Sequence, residues 1–406
     1  MDPLVLGVFA GVYAGMILGR LPGLSLDRTG VALLGAIVLV AAGRVPADRA
    51  WAAVDVPTIA LLLGLMVVSA QFRLSGFYTH AVRRMAGAEA SPPVLLLLVM
   101  LLAGALSALL ANDIVCLAAA PVLVEACCRR GVHPVPFLLG LALSANAGSA
   151  ATLIGNPQNM LIGQVLSLSF SGYLKAGAVP ALGALLLAWG AVCAAWRGRW
   201  RVAAARVEVE APSLDRWQTA KGFAVLAAVL AAFLFAPMPR EAAALAGAGV
   251  LLCSRRMRSR DVLGLVDWQL LVLFVALFVV NHAFRESGGL AALLDLAARA
   301  GVRPERPGWL FLSTVALSNL VSNVPAVMLL LPSATFPLAG PLLALSSTLA
   351  GNLLLVGSIA NLIVADLAAR HGVRITWAAH ARVGVPATLA ALALAWGWLS
   401  LLGLGG

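Results

Sequence analysis

The sequence predicts an all-α polytopic membrane protein, with about ten transmembrane helices, two re-entrant hairpins and two unwound helices in two inverted-topology repeats. Three observations predict this fold: an apolar composition, apolar stretches that recur along the chain, and a similarity between its halves. Of the 406 residues, 62% are hydrophobic and 11% are charged, whereas a soluble domain is about half apolar and a quarter charged. Each apolar stretch is long enough to cross a hydrocarbon core about 30 Å thick as a helix.

Ten apolar stretches are predicted to be complete spans, five in each half of the chain. They lie near residues 3–20, 29–46, 55–73, 136–165 and 173–196, and then near 218–236, 240–254, 267–284, 337–366 and 376–403. Two of them, 136–165 and 337–366, combine glycine, proline and asparagine in their middle. These residues unwind a helix, so both stretches are predicted to be broken within the membrane.

Two further apolar stretches, 92–129 and 307–333, contain a polar break of a different kind. The first is interrupted by Ala111-Asn112-Asp113 and the second by Ser322-Asn323-Val324-Pro325. We predict that each is a helical hairpin that enters the membrane and returns to the side from which it came. The alternative is a pair of complete spans joined by a buried turn.

The two halves resemble each other at a nearly constant offset. Residues 54–76 carry Val-Asp and then Phe-Arg-x-Ser-Gly at the same positions as residues 266–288, with an offset of 212. Further matches are Ser107 and Asn112 with Ser318 and Asn323, Gly155 to Asn159 with Gly357 to Asn361, and Val179-Pro180 with Val385-Pro386. We therefore predict a first repeat at 1–196, a cytoplasmic linker at 197–217 and a second repeat at 218–406.

The charge pattern predicts the orientation of the chain. The net charge of +11 comes almost wholly from arginine, and the arginines lie in short loops between spans, as the positive-inside rule expects of cytoplasmic loops. This explanation replaces nucleic-acid binding, so no nucleic-acid partner is predicted. The odd number of crossings in the first repeat inverts the second. The protein is predicted to be a multi-pass protein of the cell inner (plasma) membrane, with both termini extracytoplasmic and an amphipathic surface helix within 285–306.

Polar breaks at membrane depth need a reason, since hydrocarbon offers no hydrogen bonds. Paired breaks in the two halves indicate a binding site near the membrane midplane, where free carbonyls bind cations and half-helix N-termini attract anions. The candidate binding residues are Asn112, Asp113, Thr152, Gly155, Asn156, Pro157, Asn159, Ser322, Asn323, Gly351, Asn352, Gly357, Ser358 and Asn361. Na⁺ is expected, if it binds, at Asn112, Gly155, Asn323 and Gly357, and no other metal is predicted.

Asp113 is the carboxylate that the sequence places near the bilayer centre. Intramembrane acids are costly and usually serve ions or protons, so Asp113 is predicted to be a protonation or cation site; the alternative is a helix cap. The matching residue is Val324, which makes the two hairpin tips chemically unequal.

Several other polar residues are predicted to be structural. Asp55 and Asp267 begin matched spans and are expected to cap helices. Asn281 and His380 lie near span ends and are expected to be interfacial anchors. Asn146 either lines a cavity or packs between helices. No ATP-binding P-loop and no protease or hydrolase signature is present, so the chain is not predicted to be an enzyme, and no cofactor is predicted.

These motifs resemble those of the ion transporter superfamily, which includes arsenite-efflux permeases, NhaD-type sodium/proton antiporters and divalent-anion/sodium symporters. The resemblance lies in the tips Ala111-Asn112-Asp113 and Ser322-Asn323-Val324-Pro325 and in the breaks at 149–159 and 351–361. Dicarboxylate symporters carry Ser-Asn-Thr at both tips, and this chain keeps both asparagines but lacks both threonines. The Asn-Asp tip resembles the arsenite-permease branch more closely.

The resemblance implies an ion-coupled secondary active transporter that moves a small inorganic or organic anion, or an arsenite-like metalloid, with H⁺ or Na⁺ as coupling ion. It also implies an elevator-type alternating-access mechanism and a possible homodimer. The first alternative is a sodium/proton antiporter, which would need more intramembrane carboxylates than Asp113. A remote alternative is a non-transporting membrane scaffold.

Overall fold

A computed structural model describes residues 2–19, 25–203, 209 and 213–404. In the first half, ten α-helices are described. They are α1 (Pro3–Leu18), α2 (Arg28–Ala41), α3 (Ala47–Ala52), α4 (Val56–Leu74), α5 (Phe77–Ala86), α6 (Pro92–Leu109), α7 (Asn112–Arg129), α8 (Pro134–Ser149), α9 (Pro157–Val165) and α10 (Phe170–Ala195).

In the second half, ten further α-helices are described. It contains α11 (Arg216–Phe235), α12 (Arg240–Leu252), α13 (Ser259–Leu263), α14 (Trp268–Glu286), α15 (Gly289–Arg299), α16 (Pro307–Val321), α17 (Asn323–Leu330), α18 (Ala339–Ala350), α19 (Ile359–Arg370) and α20 (Trp377–Leu401). Short 3₁₀ turns follow α17 at Leu331–Ser333 and precede α19 at Leu355–Gly357.

Among the described residues, six helices are long and apolar enough to cross a membrane: α4, α6, α10, α11, α14 and α20. Helices α1, α2, α16 and α18 are apolar but shorter, as is the segment formed by α17 and its 3₁₀ turn. The chain is therefore a helical polytopic membrane protein.

The helices α4 and α14 begin and end in the same way. The Asp55 carboxylate accepts a hydrogen bond from the Thr58 N–H at 2.8 Å, and the Asp267 carboxylate accepts one from the Leu270 N–H at 2.9 Å. Each helix is 19 residues long. The predicted capping role of both aspartates is confirmed, and positions in the two helices correspond when counted from these caps.

A close glycine–valine contact occurs in each half of the chain. A Cβ added at Gly35 would lie 2.4 Å from Val12 Cγ2, and one at Gly247 would lie 2.7 Å from Val229 Cγ2. The first contact joins α1 to α2, and the second joins α11 to α12. Between halves, α4 packs on α12 and α14 packs on α2. These six helices, together with the short helices α3 and α13, form a body that we call the scaffold: α1–α4 and α11–α14.

The predicted loops contain more helix than the sequence suggested. Helix α15 occupies the predicted surface helix. Helices α3, α5 and α13 were not predicted, because each is short and has charged residues within it or at its end. In the predicted linker, residues 204–208 and 210–212 lie outside the described residues.

Each predicted hairpin stretch is a pair of helices with a short break. Helices α6 and α7 are 18 residues each, or about 27 Å, with Leu110 and Ala111 between them. Helices α16 and α17 are shorter and meet at Ser322, which has φ +79° and ψ 160°. This combination is essentially restricted to glycine in other proteins and costs about 1–3 kcal/mol.

Candidate functional site

Four helix N-termini meet at a small cavity of about 40 Å³. Helices α7 and α17 begin at the hairpin tips, and α9 and α19 begin after the breaks in the predicted unwound helices. The cavity is lined by Asn112, Asp113, Asn146, Ser149, Asn156, Pro157, Gln158, Leu270, Ser322, Asn323, Val324, Ser358 and Ile359. Amides and hydroxyls are the commonest groups in this lining. Among the described residues, Asp113 is its one carboxylate, and no lysine, arginine or histidine side chain lines it.

The candidate residues divide into two layers around this cavity. Seven of them line it: Asn112, Asp113, Asn156, Pro157, Ser322, Asn323 and Ser358. The other seven lie behind the lining and form the turns that shape it: Thr152, Gly155, Asn159, Gly351, Asn352, Gly357 and Asn361. The structure thus brings both tips and both breaks to one place.

Asn146, in α8, joins one hairpin tip to the break of the other half. Its side chain is buried, and its amide donates to Asn352 Oδ1 at 2.7 Å and to Asn361 Oδ1 at 3.3 Å. Its carbonyl oxygen accepts from Ser358 Oγ at 2.9 Å and from Asn112 Nδ2 at 3.4 Å. The sequence left its role open between cavity and packing, and the structure gives it both.

Thr348, in α18, occupies the matching place in the other half. Its hydroxyl accepts from Asn156 Nδ2 and from Gln158 Nε2, both at 3.1 Å, and donates to Asn159 Oδ1 at 3.3 Å. Each unwound turn is therefore hydrogen-bonded to a helix of the opposite half. Asn146 of α8 bonds to the turn before α19, and Thr348 of α18 bonds to the turn before α9. Buried networks of this kind are rigid when every member has a partner.

Glycine is required where each unwound turn folds back. A Cβ added at Gly155 would lie 2.3 Å from the carbonyl oxygen of Ser149, and one at Gly357 would lie 3.0 Å from that of Gly351. Real Cβ atoms do not approach backbone oxygen as closely as 2.3 Å. The predicted glycines thus allow the close backbone approach in both turns.

Two buried side chains from the last long helix of each half hold these turns. The Tyr173 hydroxyl donates to the Ala150 carbonyl at 2.8 Å and accepts from Asn159 Nδ2 at 3.2 Å. His380 Nε2 lies 3.1 Å from the Asn352 carbonyl oxygen. His380 is only 1% exposed, so its predicted role as an interfacial anchor is wrong. Its position near the start of a span gave no sign that the preceding turn folds over it.

Asp113 lies in the first turn of α7, half-buried at the cavity. Among the described residues, no side chain forms a hydrogen bond or ion pair with its carboxylate. Across the cavity, Asn323 Oδ1 is buried and also has no partner in the described part of the chain. These two oxygens are acceptors without donors, which is the chemistry that a proton, a cation or a hydroxyl-bearing solute satisfies.

A second carboxylate in the hairpins was missed by the sequence analysis. Glu125, near the end of α7, is buried and forms ion pairs with Arg83 and Arg129, both at 2.9 Å. Arg83 comes from the unpredicted helix α5. Because Glu125 is paired twice, it is a structural charge and not a second free carboxylate at the cavity.

No cluster of three or more metal-ligating side chains occurs among the described residues. Cys127 and Cys128 are free thiols, without the further ligands that a metal site needs. A larger cavity, of about 290 Å³, lies away from the site, between the end of α14 and the second hairpin.

Comparisons with known proteins agree with this architecture. The family model described as "Citrate transporter" matches residues 13–341. An uncharacterized transporter of Mycobacterium tuberculosis is 32% identical, with 97% of each chain covered. The silicon efflux transporter LSI3 of rice (Oryza sativa subsp. japonica) is 29% identical, with 97% of this chain and 96% of LSI3 covered.

The fold is also similar to that of a solved structure. The YdaH transporter of Alcanivorax borkumensis superposes with a TM-score of 0.58 at 17% identity, over 99% of this chain and 98% of that chain. At this identity the likeness concerns the fold.

Proposed function

The chain belongs to the citrate transporter family, and we propose that it is an ion-coupled secondary active transporter for a small oxyacid or oxyanion of the arsenite type. The observation that carries the proposal is the cavity itself. Four helix N-termini and one unpaired carboxylate face a space of about 40 Å³. Such a site recognises a compact solute with several oxygens and binds a coupling ion beside it.

The size and polarity of the cavity favour a neutral oxyacid over a multiply charged organic anion. The volume holds a few water molecules, and a tricarboxylate would have to displace several hydrogen-bonded side chains. In the described part of the chain no cationic side chain lines the cavity, and Asp113 repels anions when it is ionised. A neutral oxyacid can donate hydroxyls to Asp113 and Asn323 and accept hydrogen bonds from the helix N-termini. A relative named a silicon efflux transporter supports this substrate class.

The coupling ion in this proposal is H⁺ or Na⁺ at Asp113. A proton neutralises the carboxylate directly. Na⁺ would use the Asp113 carboxylate and Asn323 Oδ1, together with backbone carbonyls of the unwound turns. No resident cofactor takes part.

The proposed transport cycle is of the elevator type. The moving unit comprises the two hairpins and the two broken helices, α6–α9 and α16–α19, and it slides along the scaffold. Two inverted repeats would support such a cycle, because they are related by a pseudo-two-fold axis in the membrane plane. Exchanging the conformations of the two repeats would then convert one end state into the other. The recurring contacts of Gly35 and Gly247, and of Gly155 and Gly357, support the repeat.

The test is uptake into proteoliposomes, with arsenite, silicic acid, phosphate and citrate as solutes, and with a pH gradient and a Na⁺ gradient applied separately. Arsenite or silicic acid is expected to move with one of the two gradients, and citrate is expected not to. If none of the four solutes moves with either gradient, the proposal is wrong.

We predict that Asp113→Asn abolishes gradient-driven uptake and leaves downhill exchange of the solute measurable. Asparagine keeps the size of the side chain but cannot lose a proton, and it binds Na⁺ more weakly than a carboxylate does. Ser144→Ala is the matched control, because the Ser144 hydroxyl bonds only to Leu141 O within its own helix. Uptake in Asp113→Asn that keeps the wild-type dependence on both gradients would make Asp113 merely structural.

A sodium/proton antiporter remains the second candidate. It shares the acceptor oxygens of Asp113 and Asn323 but requires no solute. Proton movement in response to Na⁺ alone, in vesicles free of oxyacids, would favour it over the first.

A further inference from the structure

The first hairpin tip touches the scaffold near the end of α4. The Ala111 N–H donates to Ser69 Oγ at 3.1 Å. Ser69 lies fourteen residues after the capping residue Asp55 and five residues before the helix ends at Leu74. The tip is therefore near the C-terminal end of α4.

The second hairpin tip lies near the beginning of α14, the matching helix. Leu270, three residues after the cap Asp267, lines the cavity together with Ser322 and Asn323. The residue of α14 that matches Ser69 is Asn281, fourteen residues after the cap. Asn281 does not meet the tip: its Nδ2 lies 3.9 Å from the sulfur of Met328, six residues beyond Ser322.

The two halves therefore differ in the position of their tips, although their scaffold helices match. With both tips at corresponding positions, Ser322 would lie beside Asn281 as Ala111 lies beside Ser69. Instead, both tips lie toward the scaffold end that carries Arg73 and the arginines of residues 255–260. The moving unit is displaced toward that end, which the charge pattern predicts to be cytoplasmic.

We propose that Asn281 receives the second hairpin tip in the opposite-facing state. There its Oδ1 accepts a hydrogen bond from the Ser322 N–H, as Ser69 Oγ accepts one from the Ala111 N–H here. The required slide is at least six residues of helix, or about 9 Å. The inference rests on the proposed transport function and assigns to Asn281 a role that differs from the predicted interfacial anchor.

Tyr13 of α1 leaves Asn281 free to make this exchange. Its hydroxyl donates to Asn281 Oδ1 at 2.9 Å, and the carbonyl oxygen of Pro325 is a second acceptor at 3.4 Å. One hydroxyl proton serves one acceptor at a time. When the hairpin moves, Tyr13 can release Asn281 and donate to a backbone carbonyl of the hairpin, as the Pro325 carbonyl already allows. The Tyr13 hydroxyl therefore does not become buried and unpaired.

The cavity of about 290 Å³ lies on the side to which the hairpin would move. Its walls include Phe278, His282 and Arg285 of α14, and Met328 and Leu331 at the end of α17 remote from the tip, which leads in this movement. Close-packed interiors do not admit sliding helices without unfilled space. The second hairpin has this space ahead of it.

The proposal is tested by disulfide trapping in a variant whose five native cysteines are replaced by alanine and which still transports. Three pairs are introduced in turn: Asn281→Cys with Met328→Cys, Asn281→Cys with Ser322→Cys, and Ser69→Cys with Ala111→Cys. The first and third pairs are expected to cross-link in the state described here, and the second only in the opposite-facing state. Trapping the 69–111 pair is expected to stop uptake. In protein that carries both pairs, it should lower 281–322 cross-linking at least about tenfold, since a disulfide needs Cα atoms within about 7 Å.

The matched control is Val229→Cys with Gly247→Cys, a contact within the scaffold that should cross-link equally in every condition. If uptake is normal and 281–322 never forms, Asn281 does not receive the tip. If 281–322 forms equally in protein trapped at 69–111, the contact does not depend on the state, and the proposal is also wrong. Both results are obtained in a protein that transports, so neither depends on a failure of the proposed function.

Discussion

At the residue scale, the site is built from pairs of matching positions that carry different side chains. Asp113 faces the cavity where the second tip has Val324, and Tyr173 holds one turn where His380 holds the other. The first tip has Ala111 in an ordinary extended conformation, at φ −58°. The second tip has Ser322 at φ +79°. The two halves thus place corresponding positions at one site, but the side chains at these positions and the backbone conformation of the tips differ.

The strain at Ser322 leads to a prediction of stability. Ser322→Gly is expected to raise the free energy of unfolding by about 1 kcal/mol, because relief of the strained φ exceeds the entropy that glycine adds to the unfolded chain. The matched variant Ala111→Gly is expected to lower it by about 0.5–1 kcal/mol, since Ala111 has no strain to relieve. Thermal unfolding in detergent compares the two. Equal effects of the same sign would mean that Ser322 is not strained.

At the element scale, the unwound turns depend on close backbone contacts. Each turn is pinned by a buried side chain from a neighbouring helix, Asn146 for one and Thr348 for the other. The turn after α8 folds back so tightly that Gly155 contacts the Ser149 carbonyl. The position of the α9 N-terminus at the cavity follows from that fold.

We predict that Gly155→Ala removes transport and destabilises the protein by about 1–3 kcal/mol, because the added methyl group meets the backbone and cannot be relieved by a rotamer change. Gly357→Ala should have the same direction and a smaller effect, since its Cβ would meet the Ser149-equivalent carbonyl, that of Gly351, at 3.0 Å. Gly190→Ala in α10 is the control, because a Cβ there meets nothing within 4 Å. Uptake and thermal unfolding measured on all three variants give the comparison. Wild-type uptake by Gly155→Ala would show that the turn tolerates a side chain.

The breaks could be predicted from the sequence because glycine, proline and asparagine act locally on a helix. The partners of the turns could not, because Tyr173 and His380 reach them only through packing between distant helices. Glu125 was missed for a similar reason. Its arginine partner Arg83 lies 42 residues away. Arg83 belongs to helix α5, whose charged residues led to the prediction of a loop.

At the scale of the whole molecule, the matching helices α4 and α14 each lie near one of the two hairpin tips. The predicted orientation places the linker near Arg197 on the cytoplasmic side and helix α15 on the opposite side. The charge pattern predicts this arrangement, because arginine content differs between the two sets of loops. It was not enough to predict which end of the scaffold the hairpins occupy, which depends on contacts such as that of Ser69 with Ala111.

Labelling of single cysteines tests the orientation. In the cysteine-free variant, Leu296→Cys on α15 should react with a membrane-impermeant maleimide added to intact cells. Arg197→Cys should react only after the cells are opened. Both side chains are exposed, so accessibility within the protein does not differ between them. The reverse pattern would place the arginine-rich loops outside the cell.

In the proposed cycle Asp113 travels on a hairpin, and no cationic side chain among the described residues pairs with it, which has an electrical consequence. A charge that crosses the whole membrane field experiences about 2.3 kcal/mol per 100 mV. A slide of about 9 Å through a core of about 30 Å covers roughly a third of that field, or about 0.7 kcal/mol per 100 mV. A voltage of about 100 mV therefore changes the population ratio of the two end states about threefold. Whenever Asp113 moves ionised, membrane voltage biases the cycle, even when the solute itself is uncharged.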